Sequence, residues 1–154
     1  MAKPNVHASW RFRHFDSFEA AEWHAVLQLR AAVFIVEQNC PYLDPDQKDP
    51  KSWHLEGFLE EKLVATLRIV PPKISYDEPS IGRVVVDSDL RGQQLGRELM
   101  LRGIALCQDL FPMPIRISGQ AYLQNFYESL NFATVSEPYL EDDIPHIEML
   151  LPGP

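Results

Sequence analysis

The pattern of apolar and polar positions predicts a strand, a loop and a helix in the middle of the chain. Residues 81–86 form an apolar run with three successive β-branched valines, which suits a strand buried on both faces. A polar loop follows. From Gly96 the apolar residues recur with the helical period, at Leu99, Leu106 and Leu110. We therefore expect a helix over residues 96–110.

Similar patterns on either side predict the other elements. Apolar and basic residues alternate over residues 10–15, which predicts a first strand, and Asp16 is the expected start of a helix that runs to Glu37. Two β-rich runs, 53–60 and 62–70, predict a hairpin. After the central helix we expect a strand over 115–118, a helix over 120–130, and strands over 132–135 and 144–150.

Composition is that of an ordinary water-soluble globule. The chain has 154 residues, 45% hydrophobic and 23% charged, with no repeat and no linker, so we expect one domain over residues 1–154 with flexible ends at 1–9 and 152–154. No apolar run is long enough to cross a bilayer, and the start resembles no signal peptide, which predicts a cytoplasmic protein without a membrane partner. Cys40 and Cys107 lack metal-type spacing and are expected to be free thiols.

The net charge of −8 argues against nucleic acid as a partner, because affinity for a polyanion comes largely from Lys and Arg. The same charge suits cationic substrates such as amines, although many proteins are acidic for solubility alone. Charge does not decide between a monomer and a homodimer.

The loop between the central strand and its helix predicts a phosphate site. The first N–H groups of a helix lack intrahelical partners, and the helix dipole adds positive potential there. Gly92 and Gly96 allow close backbone approach, and Arg91 adds a fork of donors suited to phosphate oxygens. An ordinary strand-to-helix turn explains the glycines equally well. The motifs of nucleotide-triphosphate and dinucleotide loops are missing.

At this loop the sequence resembles a known family. The three valines, four further residues and then Arg91 to Gly96 resemble motif A of the GNAT superfamily of acyl-CoA-dependent N-acetyltransferases, whose loop reads Q/R-x-x-G-x-G/A. Gln94 departs from that pattern, since it stands where the middle glycine is usual. Residues 29–42, His54 and residues 145–149 resemble the ElaA-like branch of the superfamily.

The resemblance implies a fold and a reaction. The expected fold class is α/β (α+β): a GNAT-type domain with a mixed, mostly antiparallel sheet, splayed in the middle and flanked by helices. The expected activity is transfer of an acetyl group from acetyl-CoA to a primary amine by direct attack in a ternary complex. A non-catalytic acyl-CoA-binding or regulatory module with the same fold is the alternative. The acceptor amine is not encoded in any motif.

The resemblance also implies which residues contact the cofactor. The strand contributes backbone amides that bond the pantetheine arm and the acetyl carbonyl. Residues 120–132 resemble family motif B, in which Asn125 and Tyr127 face CoA and the position of Tyr127 protonates the leaving sulfur in many members. A phenol stays protonated at neutral pH and can donate to a thiolate. Without the resemblance, a tyrosine packed at a helix edge is the preferred interpretation. The expected cofactor-binding residues are Val84, Val85, Val86, Arg91, Gly92, Gln93, Gln94, Leu95, Gly96, Arg97, Asn125 and Tyr127.

The general base has four candidates: His54, His146, Glu37 and Glu56. Histidine is best tuned to accept a proton near neutral pH, and His54 adjoins an acidic loop, so His54 is our prediction. A histidine with a purely structural role at a strand start is an equally good interpretation. Cys40 acting with His54 as a covalent nucleophile is a further alternative, but nothing about Cys40 indicates a lowered pKa.

The acidic loop over residues 39–52 carries Asp44, Asp46 and Asp49. We expect these carboxylates to be solvated turn residues, since the glycine and glutamate of a calcium-binding EF-hand loop are missing, and we predict no metal site. The resemblance places this loop beside the acceptor cleft, where its charge could attract an amine. Arg30 lies on the apolar face of the first helix and needs a carboxylate or carbonyl partner there, by default in a structural salt bridge.

Overall fold

The computed structural model describes residues 7–154, which contain eight strands and three α-helices. The strands are β1 Ser9–His14, β2 Trp53–Leu59, β3 Lys62–Val70, β4 Ser80–Val86, β5 Ile115–Gln120, β6 Ala133–Thr134, β7 Tyr139–Glu141 and β8 Ile144–Leu151. The helices are α1 Ala20–Arg30, α2 Leu95–Leu110 and α3 Gln124–Glu128. In the described part of the chain, none of these helices has the length and apolar character needed to cross a membrane.

The strands form two sheets that meet at β4 and β5. One sheet has the order β1-β2-β3-β4, and the other has the order β5-β8-β6 with β7 also paired to β8. Every strand pair within residues 7–154 is antiparallel. The sheets touch where the backbone N–H of Arg116 donates to the carbonyl oxygen of Pro79 at 3.0 Å. The predicted α/β class, with an antiparallel sheet opened in the middle and flanked by helices, is confirmed.

The predicted hairpin of β2 and β3 is confirmed. Trp53 pairs with Ile69, and Leu59 pairs with Lys62 beside the turn. Glu60 takes up the left-handed conformation there, with φ of 55°. All eight residues from Leu63 to Val70 are buried, because helices cover both faces of this sheet.

The helices α1 and α2 pack on opposite faces of the first sheet. The α2 helix begins one residue before the predicted start and lies directly against β3: a Cβ on Gly103 would come within 2.6 Å of Leu67. Val85 faces the α1 side, where it packs with Val26 and Leu29. Val84 and Val86 face the α2 side and are only partly buried. The valine run therefore packs on both faces of the sheet, as predicted, and its burial is complete only on the α1 side.

The first helix differs from its prediction at both ends. Asp16 lies in a short 3₁₀ turn, and the helix is capped by Glu19, whose backbone N–H donates to the Glu22 carboxylate at 2.9 Å. This capping box starts α1 three residues after the expected cap. The α-helix ends at Arg30, and residues Ala31–Glu37 continue it as a π-helix. A wider turn of this kind is typical of functional sites.

The C-terminal third differs from its prediction more than the first helix does. The expected helix over 120–130 is a 3₁₀ turn followed by the single short α3, and the strand expected over 132–135 has two residues. The strand β7, which pairs with the start of β8, was not predicted from the sequence. Asp142 and Asp143 join these strands with positive φ at both positions, the geometry of a tight hairpin turn that aspartate tolerates. Of the expected flexible end at 1–9, residues 1–6 lie outside the described residues, and Ser9 already belongs to β1.

Candidate active site

A β-bulge in β4 separates the two sheets. Thr66 pairs with Val85 and Arg68 pairs with Gly82, so Leu67 alone faces the two residues between them. One of these, Arg83, has a φ of 47°, which is left-handed and uncommon for arginine. A bulge bends its strand and increases the local twist. The strand β4 therefore turns away from β5 beyond their contact at Pro79.

A cavity of about 620 Å³ fills the space that opens between β4 and β5. Its walls include Val84, Val85 and Val86 from β4, Ile117 from β5 and Tyr127 from α3. The strand β4 is the last of its sheet, so the backbone groups that do not pair with β3 are directed toward this gap. The cavity therefore has a wall of free backbone donors and acceptors.

The loop from Arg91 to Gly96 leads from β4 into α2. Gly92 has φ of 79°, and Gln94, the residue before the helix, has φ of 62°. Gln94 thus has the left-handed backbone that explains why a glycine is usual there. Hydrogen bonding in α2 begins when Glu98 N donates to Gln94 O at 3.1 Å, which leaves the N–H groups of Leu95, Gly96 and Arg97 without intrahelical partners. This end of the helix can receive an anion.

Arg91 is the loop residue that reaches the cavity, and it holds a carboxylate. Its guanidinium donates two hydrogen bonds to Glu37, one of them 2.7 Å from Nη2 to Oε2, and both side chains are exposed. The hydrogen bonds from Arg91 lower the pKa of Glu37. Arg97 instead donates to Ser129 Oγ at 3.0 Å, and Gln93 Oε1 is buried without a hydrogen-bond partner among the described residues.

Tyr127 lies inside the cavity wall. Its ring packs so closely on β5 that a Cβ at Gly119 would come within 2.9 Å of Tyr127 Cε2. Burial raises the pKa of the Tyr127 hydroxyl to about 12, so the group stays protonated throughout the neutral range. Asn125, on the same helix, is exposed and is not part of the cavity lining formed by residues 7–154.

The structure separates His54 from the other site residues. Its ring is 1% exposed and is enclosed by aromatic rings, with the Trp23 ring centroid at 4.8 Å and the Phe18 centroid at 5.6 Å. The Nε2 atom donates to the carbonyl oxygen of Asp49 at 3.1 Å. Burial lowers the pKa of His54 from 6.5 to about 4. His54 is not part of the cavity lining in the described chain, which argues against its role as a base.

The other three base candidates differ in whether they line the cavity and in whether an arginine binds them. Glu56 is buried away from the cavity and accepts hydrogen bonds from Arg11 and Arg13 at 3.1 and 2.9 Å. Glu37 and His146 both line the cavity, but Glu37 is held by Arg91. Of the four candidates, only the His146 ring lies in the cavity without a hydrogen bond from an arginine.

The three aspartates of the acidic loop bind arginines, so the expectation that they are solvated is wrong. We call this group the Arg–Asp cluster. Arg30 Nε donates to Asp44 Oδ2 at 2.8 Å, and its other nitrogens donate to Asp49. Further contacts join Arg68 to Asp46 and Asp49 at 2.6 and 2.8 Å, and Arg83 to Asp44 at 2.9 Å.

The Arg–Asp cluster forms one wall of the cavity through Arg68 and Arg83. Three positive and three negative side chains cancel within the cluster, and Lys48 of the same loop also lines the cavity, so this wall has no net negative charge to attract an amine. Burial opposes ionisation of Asp46, but hydrogen bonds from Arg68 outweigh it and hold the pKa of Asp46 at about 2. The expected salt bridge of Arg30 is found here. Arg68 and Arg83 were missed, although a charge inside an apolar strand run signals a buried partner.

Two contacts close the cavity opposite β4. The amide of Gln120 on β5 donates to Gln38 Oε1 at 3.3 Å, and Cys40 Sγ donates to the carbonyl oxygen of Asp142 at 3.4 Å. Cys40 and Cys107 are both buried free thiols. Since His54 is outside the cavity that Cys40 lines, the structure does not bring this pair together as a nucleophile and base. Residues 7–154 contain no group of three His, Cys, Asp or Glu side chains arranged to hold a metal ion.

Comparisons with known proteins agree with this geometry. Residues 61–151 match the family model described as an acetyltransferase (GNAT) domain. Protein ElaA of Escherichia coli K12 is 42% identical over 143 residues, which span 91% of this chain and 94% of that protein.

Solved structures of related proteins have the same fold. The crystal structure of Escherichia coli ElaA has a TM-score of 0.88 at 40% identity and covers 94% of this chain and 99% of its own. An acyl-CoA N-acyltransferase from Pseudomonas aeruginosa has a TM-score of 0.90 with the same identity and coverage. The match over most of the chain, together with the cavity between splayed strands, identifies this protein as a member of the GNAT family of acyl-CoA-dependent acyltransferases, in its ElaA-like branch.

Proposed function

We propose that this protein, as a monomer or a homodimer, transfers an acetyl group from acetyl-CoA directly to a primary amine in a ternary complex. The observation that carries the proposal is the cavity between β4 and β5, which joins free strand backbone, a buried tyrosine and the Arg91 loop in one space. A cavity open to both reactants allows the amine to attack the thioester without a covalent enzyme intermediate.

The cofactor phosphates bind at the start of α2 in this proposal. The loop residues Gly92, Gln93 and Gln94 lead into the free N–H groups of the first helical turn, and Arg91 adds a charge at the cavity edge. A Cβ at Gly92 would meet no atom within 4 Å, so this side of the loop has room for a ligand. Asn125 and Arg97 complete the proposed cofactor site on α3 and α2.

The acetyl thioester lies along β4. Amides of Val84, Val85 and Val86 that are not used in pairing with β3 can donate to the pantetheine arm and to the acetyl carbonyl oxygen. Fixed donors in a cavity with little water stabilise the negative charge that develops on this oxygen during attack. The apolar valine side chains contribute by excluding water.

Tyr127 donates to the departing sulfur in this mechanism. This hydrogen bond strengthens only as charge builds on sulfur, so Tyr127→Phe is expected to lower kcat by about 10²- to 10⁴-fold and to leave acetyl-CoA affinity nearly unchanged. Tyr122→Phe, an exposed tyrosine at the cavity rim, is the matched control. Steady-state kinetics and calorimetry make the measurement. Loss of cofactor affinity and thermal stability with kcat preserved would make Tyr127 a packing residue.

Two measurements test the proposed activity as a whole. Calorimetry with acetyl-CoA is expected to show binding at one site per chain, and free thiol is expected to appear only when an amine from a panel of primary amines is added. Binding without thiol release for any amine would favour a non-catalytic acyl-CoA-binding module. Absence of binding would remove the cofactor proposal.

A further inference from the structure

A second polar group lies in the cavity at the β7 and β8 strands. We call it the β7–β8 cluster; it consists of Ser118, Tyr139, Glu141 and His146. Ser118 Oγ donates to Glu141 Oε2 at 3.2 Å and is hydrogen bonded to the Tyr139 hydroxyl. The His146 ring stacks on Tyr139 with centroids 6.3 Å apart, and its Nε2 lies 3.4 Å from Glu141 Oε2. Ser118, Glu141 and His146 line the cavity.

The hydrogen bonding of His146 determines its tautomer. Its Nδ1 lies 2.7 Å from the carbonyl oxygen of Ile144, and a carbonyl can only accept, so Nδ1 carries the hydrogen. The lone pair of the neutral ring is then on Nε2, opposite a carboxylate oxygen that is also an acceptor. Two acceptors in contact repel unless a proton or a donor group lies with them. The pair is therefore built to receive a hydrogen-bond donor or a proton.

This site joins a buried histidine to an exposed carboxylate, since the Glu141 side chain is 52% exposed. His146 is 9% exposed, and Gln120 faces it from β5 in the strand register. Neither Glu141 nor Asp142 forms an ion pair with a lysine or arginine of residues 7–154. The other charged or titratable groups nearby are Tyr139 on β7, Glu148 on β8, Arg116 on β5, which pairs with Glu78, and Lys48, which lines the cavity. Burial raises the pKa of Tyr76, in the loop before β4, to about 12. The opposite wall combines the Arg–Asp cluster, whose charges cancel, with Lys48, so it adds no net negative charge.

We propose that the β7–β8 cluster binds the acceptor as a primary alkylammonium ion and that His146 Nε2 takes its proton. This inference rests on the acetyl transfer proposed above and names the acceptor end and the base for it. Glu141 holds the ammonium group by a charge-assisted hydrogen bond, and Ser118 orients that carboxylate. An amine that carries a carboxylate beside its nitrogen is disfavoured, because Glu141 and Asp142 repel it.

The proton balance of the step is complete. The ammonium ion gives one proton to His146 Nε2, and the neutral nitrogen attacks the acetyl carbon as the carbon–sulfur bond breaks. Tyr127 gives a proton to the sulfur, and the second proton lost from nitrogen restores the tyrosine hydroxyl. The imidazolium then releases its proton to water. The products are an N-acetylamine, CoA with a free thiol, and one proton in solution.

Binding at the cluster can be tested without turnover. The probe is propylamine, added to the ¹⁵N-labelled protein with saturating CoA, and 1-propanol is the uncharged control. We expect propylamine to move the ¹⁵N shift of His146 Nε2 toward that of a protonated nitrogen, and to leave the His54 ring unchanged. Glu141→Gln should weaken this response by about two- to fivefold, because the carboxylate is exposed. Equal responses to propylamine and 1-propanol would overturn the proposed site.

Kinetics test the role of His146 as base. His146→Asn keeps a donor for the Ile144 carbonyl and removes the acceptor at Nε2. We expect kcat/KM for propylamine to fall by about 10²- to 10⁴-fold at neutral pH, and the loss to shrink as rising pH deprotonates free amine. His24→Asn on the exposed face of α1 and Glu148→Gln on β8 outside the cavity lining are the matched controls. An unchanged kcat/KM and pH profile in His146→Asn would overturn the base assignment.

The two proposals fail in different ways. If the wild-type protein acetylates propylamine while His146→Asn and Glu141→Gln retain full rates, acetyl transfer stands and the β7–β8 assignment is overturned. If the wild-type protein transfers no acetyl group but propylamine still shifts the His146 Nε2 signal, the cluster is an amine site and the proposed reaction fails. Thermal unfolding of each variant separates these outcomes from loss of the fold.

Discussion

Two arginine–carboxylate groups border the same cavity and differ chiefly in burial. In the Arg–Asp cluster, Arg30 and Asp49 are almost inaccessible, and each aspartate binds two arginines. In the pair of Arg91 and Glu37, both side chains are exposed at the cavity edge. The chemistry of the groups is the same, but the cost of losing a partner is not.

Burial decides which group can change partners. A charge left alone inside the protein has neither water nor a counterion, so the Arg–Asp cluster has to remain intact for the loop over residues 39–52 to stay folded. An exposed pair contributes little, because water and salt replace each partner readily. Arg91 can therefore leave Glu37 for a phosphate, whereas Arg68 cannot leave Asp46 and Asp49 for a substrate.

The largest expected effect comes from Asp49→Asn. Asp49 accepts from both Arg30 and Arg68, so its neutralisation leaves two buried guanidinium groups short of a counterion. We expect a loss of about 3–5 kcal/mol in the free energy of unfolding, measured by urea denaturation. Asp109→Asn, an exposed aspartate on α2, is the control. A loss as small as that of the control would mean that water reaches the cluster.

The second effect concerns ligand affinity rather than stability. Arg91→Ala removes the proposed phosphate contact, and we expect CoA binding to weaken by about 1.5–3 kcal/mol, or roughly 10- to 150-fold. Its melting temperature should stay near that of the wild type, since the pair with Glu37 is exposed. Arg102→Ala, from an exposed pair with Glu98 on α2, is the matched control in calorimetry. Unchanged CoA affinity would place the phosphates elsewhere.

The third effect is a dependence of stability on pH that comes from Asp46 in the Arg–Asp cluster. The folded-state pKa of Asp46 is about 2, below its ordinary value of 3.8, so the unfolded chain binds more protons between these values. The stability from this group is fully present above about pH 4 and is lost as pH falls toward 2, a change on the order of 1–2 kcal/mol. Urea unfolding across this range should give a flatter profile for Asp46→Asn. A parallel profile would contradict the assignment.

The smallest effect is a gain. Glu37 competes with phosphate for Arg91, so Glu37→Gln should tighten CoA binding by about 1.5- to 5-fold at low salt, and the difference should fade as salt screens the pair. Glu128→Gln, an exposed carboxylate on α3, serves as the control in the same titration. Weaker binding in Glu37→Gln would show that Glu37 positions Arg91 instead of blocking it.

Local patterns predicted most of the fold. The valine run, the helical period after Gly96 and the two β-rich runs correspond to β4, α2, β2 and β3 within about one residue. These elements form where side-chain periodicity and burial agree. Prediction failed where a cap or a short turn decided the boundary, as at Glu19 and at the hairpin of Asp142 and Asp143. The two-residue β6 and the three-residue β7 carry too little periodicity to be recognised.

The candidate site was likewise predictable only where it depends on local sequence. Gly92 and Gln94 both have a left-handed backbone, which is set within the loop itself. The loop motif could therefore be recognised in the sequence. The sequence does not distinguish His54 from His146 as the general base, since each stands at the start of an apolar strand. Their environments differ because packing encloses His54 with Trp23, whereas the β7–β8 hairpin holds His146 in the cavity.

What the sequence determined by itself was therefore most of the elements, the family and the backbone of the loop from Arg91 to Gly96, which rest on local patterns of residues. Only the tertiary structure decided which charges are cancelled. Arg83 meets Asp44 across 39 residues of chain, and Glu141 meets His146 through the register of β7 on β8. Such partners depend on strand register and on a single bulge at Arg83, and a shift of one residue moves every side chain to the other face.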